Sequence, residues 1–296
     1  QPAGGPVIAS GARRDMDPRE EIPPAERAHF VAFAAELFAE SRRVIHAALA
    51  HGFDVKHKPD GSYVTSADVA VEEHLRALIA ARFPAHGIVG EEYPATQPAA
   101  PLQWIMDPID GTEDFVHRLP TFGTILALHY RGEPLVGAVD HPQLDLTLNA
   151  AYGLGSSRNG TRVRLGDIDN RIPDEAIRVM LSARANFTRH EDRGQWFDAL
   201  TRRFPNHRIY RSCYAHACVA GGQADVMVEV GNRIWDLAAA RLLVEEGGGR
   251  YVTVQDIEVA KIGRVLGAVF GRPGAVARVL TLLDETAPAA NGGPVV

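Results

Sequence analysis

Apolar positions recur at helical spacing from about residue 25. Phe30, Ala34, Leu37, Ser41, Ile45 and Ala48 share one face, and Gly52 punctuates the run. A second helix is predicted after Thr65 or Ser66, either of which can cap it, with Glu72 and Glu73 near its positive end. Leu75, Leu78, Ile79 and Phe83 form its expected buried stripe. Between the two helices, residues 56–61 read as a turn joining short extended pieces. The rhythm then shortens. Gly87-Ile88-Val89 is a short apolar run, and Trp104-Ile105-Met106 reads as a buried strand ended by Pro108, which cannot donate to a sheet. Apolar runs at 122–128, 135–139 and 144–150 follow, punctuated by Arg131-Gly132, His141-Pro142 and the hairpin signal Asn159-Gly160. They predict an antiparallel meander.

From about Pro173 strands and helices alternate. Strand-like 177–181, 207–210, 224–230 and 267–271 are interleaved with helical 195–204 and 214–220, a helix opened by Asp236, and a closing one over 275–283. That alternation predicts an α/β half. The expected layout is an α+β half over 25–170, carrying the antiparallel sheet, and an α/β half over 171–285. Residues 1–24 are rich in Pro, Gly, Ala and charge with little to bury, and are expected to be a flexible arm. Residues 286–296 are expected to be a flexible tail.

Composition narrows the function classes. A hydrophobic share of 46% against 23% charged residues is that of a soluble globular enzyme, and 296 residues can bury a large core. The net charge of −6 argues against a nucleic-acid or membrane-surface binder, since both need basic patches. No apolar run approaches the length of a membrane span, and no signal-peptide pattern opens the chain. With Gln1 in first place, the natural start is expected to be missing. Cys213 and Cys218 would sit close together on one helix and are read as reduced thiols in a cytoplasmic protein.

The candidate chemistry centres on Asp107-Pro108-Ile109-Asp110-Gly111-Thr112. Two carboxylates three residues apart repel each other unless a cation lies between them, and hard ions such as magnesium take such oxygens. Gly111 would let the backbone approach a bound anion closely. Alone, this stretch reads equally well as an acidic surface turn. Two more pieces change the balance: Gly90-Glu91-Glu92 upstream, and Trp235-Asp236-Leu237-Ala238-Ala239-Ala240 downstream. Together the three resemble, in order and spacing, the signature regions of the inositol monophosphatase superfamily, and the likeness runs from about residue 25 to about 280.

The resemblance implies an α/β fold of the inositol monophosphatase and fructose-1,6-bisphosphatase type, a five-layer αβαβα sandwich with the site between the halves. It implies a magnesium-dependent, lithium-sensitive phosphomonoesterase, with two or three Mg2+ ions, acting as a homodimer on a small phosphorylated metabolite. Glu91, Asp107 and the backbone carbonyl of Ile109 would hold one ion, and Asp107, Asp110 and Asp236 a second. Glu92 would support the site from behind. Asp68 and Thr112 would orient the attacking water, with Glu91 completing the catalytic set, and Gly111 and Thr112 would present amides to the phosphate. Glu229 would contact the non-phosphate part of the substrate, in a pocket lined by Ser212 and Cys213. Each of these has a plainer reading. Asp68 and Asp236 both stand where a helix cap is common, and the two cysteines suit small buried apolar sites.

For the substrate, 120–128, 137–142 and 213–217 resemble the histidinol-phosphate phosphatase branch, whereas 115–120 is closer to the inositol type and Ser212 stands where the first branch has an aspartate. The expectation leans to histidinol phosphate, with inositol 1-phosphate as the alternative. Further alternatives are another sugar or nucleotide phosphatase and a catalytically silent metal-binding homologue. A calcium-binding module is disfavoured, because no loop of alternating oxygen ligands closes on a glutamate.

Overall fold

The first long helix, α1 (Pro24–His51), begins at a proline, whose missing N–H is no loss in a first turn, and stops at Gly52 with φ of 96°. The computed structural model describes residues 17–59, 61–210 and 212–286. Residues 1–16 of the expected arm, Asp60 of the expected turn and the tail from 287 therefore lie outside the described residues. The expected arm is corrected at its other end. Pro18–Glu21 form a 3-10 turn, and Arg19 is only 8% exposed. Its guanidinium lies 3.9 Å from the Tyr152 ring centroid and donates to Pro134 O, so a charge in a stretch expected to bury little is stacked on an aromatic face.

A two-stranded ribbon, β1 (Val55–His57) and β2 (Tyr63–Thr65), leads into α2 (Ser66–Arg82). Thr65 caps α2, and Asp68 reaches back to complete the capping box. The buried stripe is Val71, Leu75 and Ile79, whereas Leu78, expected inside, is 39% exposed.

The first sheet then unfolds in sequence order: β3 (Gly87–Gly90), β4 (Leu102–Asp110) and, after the short helix α3 (Thr112–Val116), β5 (Gly123–Tyr130), β6 (Glu133–His141), β7 (Leu146–Ala151), β8 (Gly155–Arg158) and β9 (Thr161–Arg162). Only its first pair, β3 with β4, is parallel; the rest is the expected meander. Pro108 does not end its strand. β4 runs to Asp110 because the register against β5 slips between Asp107 and Asp110, so a bulge absorbs the proline.

The second half contains β10 (Val179–Leu181), α4 (Arg184–Arg189), α5 (Gly194–Arg203), β11 (His207–Ile209), α6 (Cys213–Ala220), β12 (Val226–Asn232), α7 (Ile234–Leu237), α8 (Ala240–Glu245), β13 (Arg250–Val259), β14 (Gly263–Gly271) and α9 (Pro273–Glu285). Its sheet runs β11-β10-β12-β14-β13, parallel over the first three strands and antiparallel after. α4 and β13 were not foreseen. The helix expected from Asp236 onward is broken between α7 and α8, where Ala239 packs so close to Gly137 that a side chain at 137 would lie 2.8 Å from Ala239 O.

Three apolar clusters stack the layers. Phe30, Leu37 and Ile45 of α1 pack with Leu75 of α2 against Trp104, Leu126 and Leu128 of the first sheet. Val139 and Leu148 on the other face of that sheet meet Val219 of α6 and Leu243 of α8, which in turn cover Met227 and Phe270 of the second sheet. Phe187, Leu200 and Val279 of α4, α5 and α9 close the far side over Val228 and Val269. The order is the expected αβαβα sandwich, with α6, α7 and α8 in the middle.

Candidate active site

In a regular strand, residues 107 and 110 would point to opposite faces, because side chains alternate with a period of two. The bulge at Pro108-Ile109 adds one residue and turns both carboxylates the same way. Asp236 joins them from the first turn of α7. One carboxylate oxygen from each of Asp107, Asp110 and Asp236 lies within 4.8 Å of the others.

Such crowding is unfavourable without a cation. Asp107 is 2% exposed, and its Oδ1 is buried with no hydrogen-bond partner among the described residues. Burial, followed by the charges of Glu91, Asp110 and Asp236, pushes its carboxyl well above the usual range. Asp236 is raised by burial and by Asp110 and Glu91, against the pull of a 2.6 Å bond from Arg233 N–H. Burial also lifts Asp110, to about 6, although the backbone N–H of Cys213 donates to its Oδ2. An all-oxygen donor set with an orphaned buried atom suits a hard divalent cation, which would reverse these shifts. Asp236 does cap its own helix through Arg233. It serves in the cluster with the same carboxylate.

Glu91 stands just beyond β3 and is near enough for its charge to act on Asp107, but it is not one of the three clustered acids. Its Oε1 is 2.6 Å from Lys58 Nζ, and the same ammonium is 2.7 Å from Glu92 Oε1. Burial opposes the charge on Lys58, yet Glu91 and Glu92 hold its pKa above the ordinary value. Glu92 is lifted to about 7, mainly by burial. No role for Lys58 was assigned from sequence, because the β1–β2 ribbon brings it from more than thirty positions away.

Asp68 faces two ways. Its Oδ2 accepts from Thr65 N at 2.7 Å and Thr65 Oγ1 at 2.5 Å, the cap expected on plain grounds. Its Oδ1 lies 3.2 Å from Thr112 Oγ1, the pairing implied by the resemblance. Burial lifts the Asp68 carboxyl to about 6. Thr112 Oγ1 is also 3.1 Å from Ile109 O, and its single proton can serve only one of these acceptors at a time. Gly111, with φ of 82°, leads into α3, and a side chain there would meet Ser212 Cβ at 3.2 Å. The two halves of the chain touch at that point.

The pocket residues expected from the second half lie deeper than anticipated. Cys213 is buried at the start of α6 and Ser212 just before it, with Ser212 Oγ 3.4 Å from Thr121 O. Burial, then Asp110, raises the Cys213 thiol well above its usual range, which rules it out as a ready nucleophile. Glu229 is 3% exposed and its Oε1 is 2.7 Å from His216 Nε2. Burial disfavours the charged imidazolium of His216, but Glu229 outweighs it and raises the pKa. His216 was missed from sequence. It lies one helical turn after Cys213, and spacing alone does not show that its partner would be a buried acid.

Residues 26–278 match the model of the inositol monophosphatase family. The histidinol-phosphatase of Chlorobaculum parvum is 33% identical over 192 residues, 65% of this chain and 73% of that protein. The histidinol-phosphatase of Mycobacterium tuberculosis is 33% identical over 202 residues, 68% of this chain and 77% of that protein. Among solved structures, the inositol monophosphatase of Anabaena superposes with a TM-score of 0.72 at 25% identity, covering 89% of this chain and 98% of its own. Among the described residues no helix is long and apolar enough to cross a membrane.

Proposed function

The chain belongs to the inositol monophosphatase family, and from that premise we propose that it is a magnesium-dependent phosphatase that cleaves histidinol phosphate in preference to inositol 1-phosphate. It is a phosphoric monoester hydrolase. The observation that carries the metal dependence is the close trio Asp107, Asp110 and Asp236, with Asp107 Oδ1 buried and orphaned. Glu91, Asp107, Asp110, Asp236 and the Ile109 carbonyl would hold the two or three Mg2+ ions, and lithium would inhibit by competing there. Bound magnesium supplies a more acidic water and offsets charge on the phosphoryl group and leaving oxygen.

The remaining work falls to this chain's own groups. With the Ile109 carbonyl engaged as a ligand, the Thr112 hydroxyl proton is left with Asp68 Oδ1 as its acceptor. The lone pairs of Thr112 Oγ1 are then free to accept from a water and aim it at phosphorus. The Gly111 and Thr112 amides, at the open start of α3, would receive phosphate oxygens. The free, buried thiols of Cys213 and Cys218 support a reducing, cytoplasmic setting.

The substrate reading rests on the two histidinol-phosphatases at 33% identity and on the runs at 120–128, 137–142 and 213–217. A specific observation favours the second reading. Glu229, the anion expected to receive a cationic substrate, is already paired with His216, whereas inositol hydroxyls need no full charge opposite them. Steady-state rates on both phosphomonoesters decide between them. We expect kcat/KM for histidinol phosphate to exceed that for inositol 1-phosphate by about tenfold or more, a difference of ~1.4 kcal/mol in transition-state binding. Glu229→Gln should narrow the gap. If inositol 1-phosphate is the better substrate, the substrate assignment is wrong while the metal chemistry stands.

A further inference from the structure

Glu72 is fully buried and has no part in the chemistry described so far. It follows Asp68 by one turn of α2, so the two carboxylates share a helix face. Its Oε2 accepts from the backbone N–H of Glu92 at 2.8 Å, and its Oε1 from that of Tyr93 at 3.2 Å. Arg76, one further turn along, donates to Glu72 Oε1 at 2.8 Å and to Tyr93 O at 3.0 Å. A side chain on Gly90 would run into the Glu72 carboxylate, so glycine is what lets that carboxylate sit directly beneath the segment. Every one of these contacts converges on residues 90–93. The hydrogen bonds hold the peptide units that follow Glu91, Gly90 packs on the Glu72 carboxylate just before it, and Lys58 binds the Glu91 side chain.

We propose that Glu72 is the positioning residue for Glu91. It fixes the backbone of 90–93 and thereby sets where the Glu91 carboxylate stands relative to Asp107. The proposal rests on Glu91 being a magnesium ligand. Because Asp68 and Glu72 lie on one rigid helix, α2 spaces the water-orienting carboxylate from the ligand-bearing segment. A residue that merely glued a surface loop to a helix would contribute stability and leave cation affinity untouched. A residue that aims a ligand changes cation affinity as well. Partners that orient metal ligands typically alter metal affinity or activity ten- to a hundredfold when removed.

The test is magnesium binding to the full chain by isothermal titration calorimetry, alongside metal-free melting curves. Glu72→Gln preserves shape, but one arm of the side chain becomes an NH2 that faces an amide N–H and cannot accept from it. Glu72→Asp keeps the charge but cannot reach both amides. We expect the magnesium Kd of each variant to weaken about ten- to a hundredfold in protein that the metal-free melting curve shows to be folded. A Kd within about twofold of the parent in either variant overturns the proposal. A parent protein that binds no magnesium locates the failure in the metal reading instead. Should neither variant fold, amide hydrogen exchange in the parent answers the question. Core-like slow exchange at Glu92 and Tyr93 without magnesium supports the clamp, and exchange at the rate of an unprotected loop overturns it.

Discussion

Asp110→Asn is expected to lower magnesium-dependent phosphate release by about a thousandfold or more, since charge stabilisation worth several kcal/mol is lost with the ligand. The same substitution should stabilise the metal-free protein. Native Asp110 is held near 6 by burial, against an ordinary value of 3.8. Between those values the folded chain keeps a proton that the unfolded chain releases. Stability therefore falls as pH rises through that window, and above about 6 the full cost is present. Asparagine carries no such burden. Asp110 is partly exposed, so solvent absorbs some of the effect, and a gain on the order of 2 kcal/mol is expected at pH 7.5. It should vanish below about pH 4. With magnesium added the order reverses, because the parent is stabilised by mass action and the variant is not. Melting curves in chelator at the two pH values, then in magnesium, check each sign. Near-normal magnesium-dependent turnover by Asp110→Asn would sink the metal-site assignment.

Asp68→Asn should lower kcat about a hundred- to ten-thousandfold while leaving substrate KM and magnesium affinity close to the parent, the range typical of a lost proton acceptor. An asparagine oxygen can still accept from Thr65 and keep most of the cap on α2. Its amide nitrogen would then face Thr112 Oγ1 as a donor, and the Thr112 proton would have only Ile109 O to turn to. The lone pairs that aim the water are misdirected, but nothing that binds phosphate is removed. If Asp68 is only a helix cap, the outcome is different: about 1 kcal/mol of stability lost and kinetics unchanged. Steady-state rates measured beside thermal melts separate the two, and an unchanged kcat would remove Asp68 from the reaction.

Much of the fold could be read along the chain where local pattern and tertiary environment agree. The stripe of α1, the meander from β5 to β7 and the Thr65 cap are such cases. The misses have physical causes. β13 is an edge strand with a half-exposed face, so its apolar alternation is diluted, and it exists by pairing with β14. α4 spans six residues, too few to show a period. Pro108 reads as a strand terminator by its own chemistry, but a bulge, set by pairing with β5, accommodates it. Arg19 is polar by type, but an aromatic face and a carbonyl more than a hundred residues away make its burial favourable.

The site divides in the same way. By itself the sequence determines which side chains can act: acids beside apolar runs at Asp107, Asp110 and Asp236, a glycine at Gly111 where the backbone could approach an anion, and capping candidates at Thr65 or Ser66 with Asp68 in the first turn. These are properties of residue type and near-neighbour spacing, which a linear pattern carries. Only the tertiary structure decides how the acids are aimed and what each is bound to. The bulge that turns Asp107 and Asp110 together, the Lys58 bridge to Glu91 and Glu92, the Glu72 seat beneath Gly90 and the His216–Glu229 pair all depend on contacts between distant segments. A buried charge is tolerable only if its partner arrives from elsewhere in the fold, and no local period records that arrival.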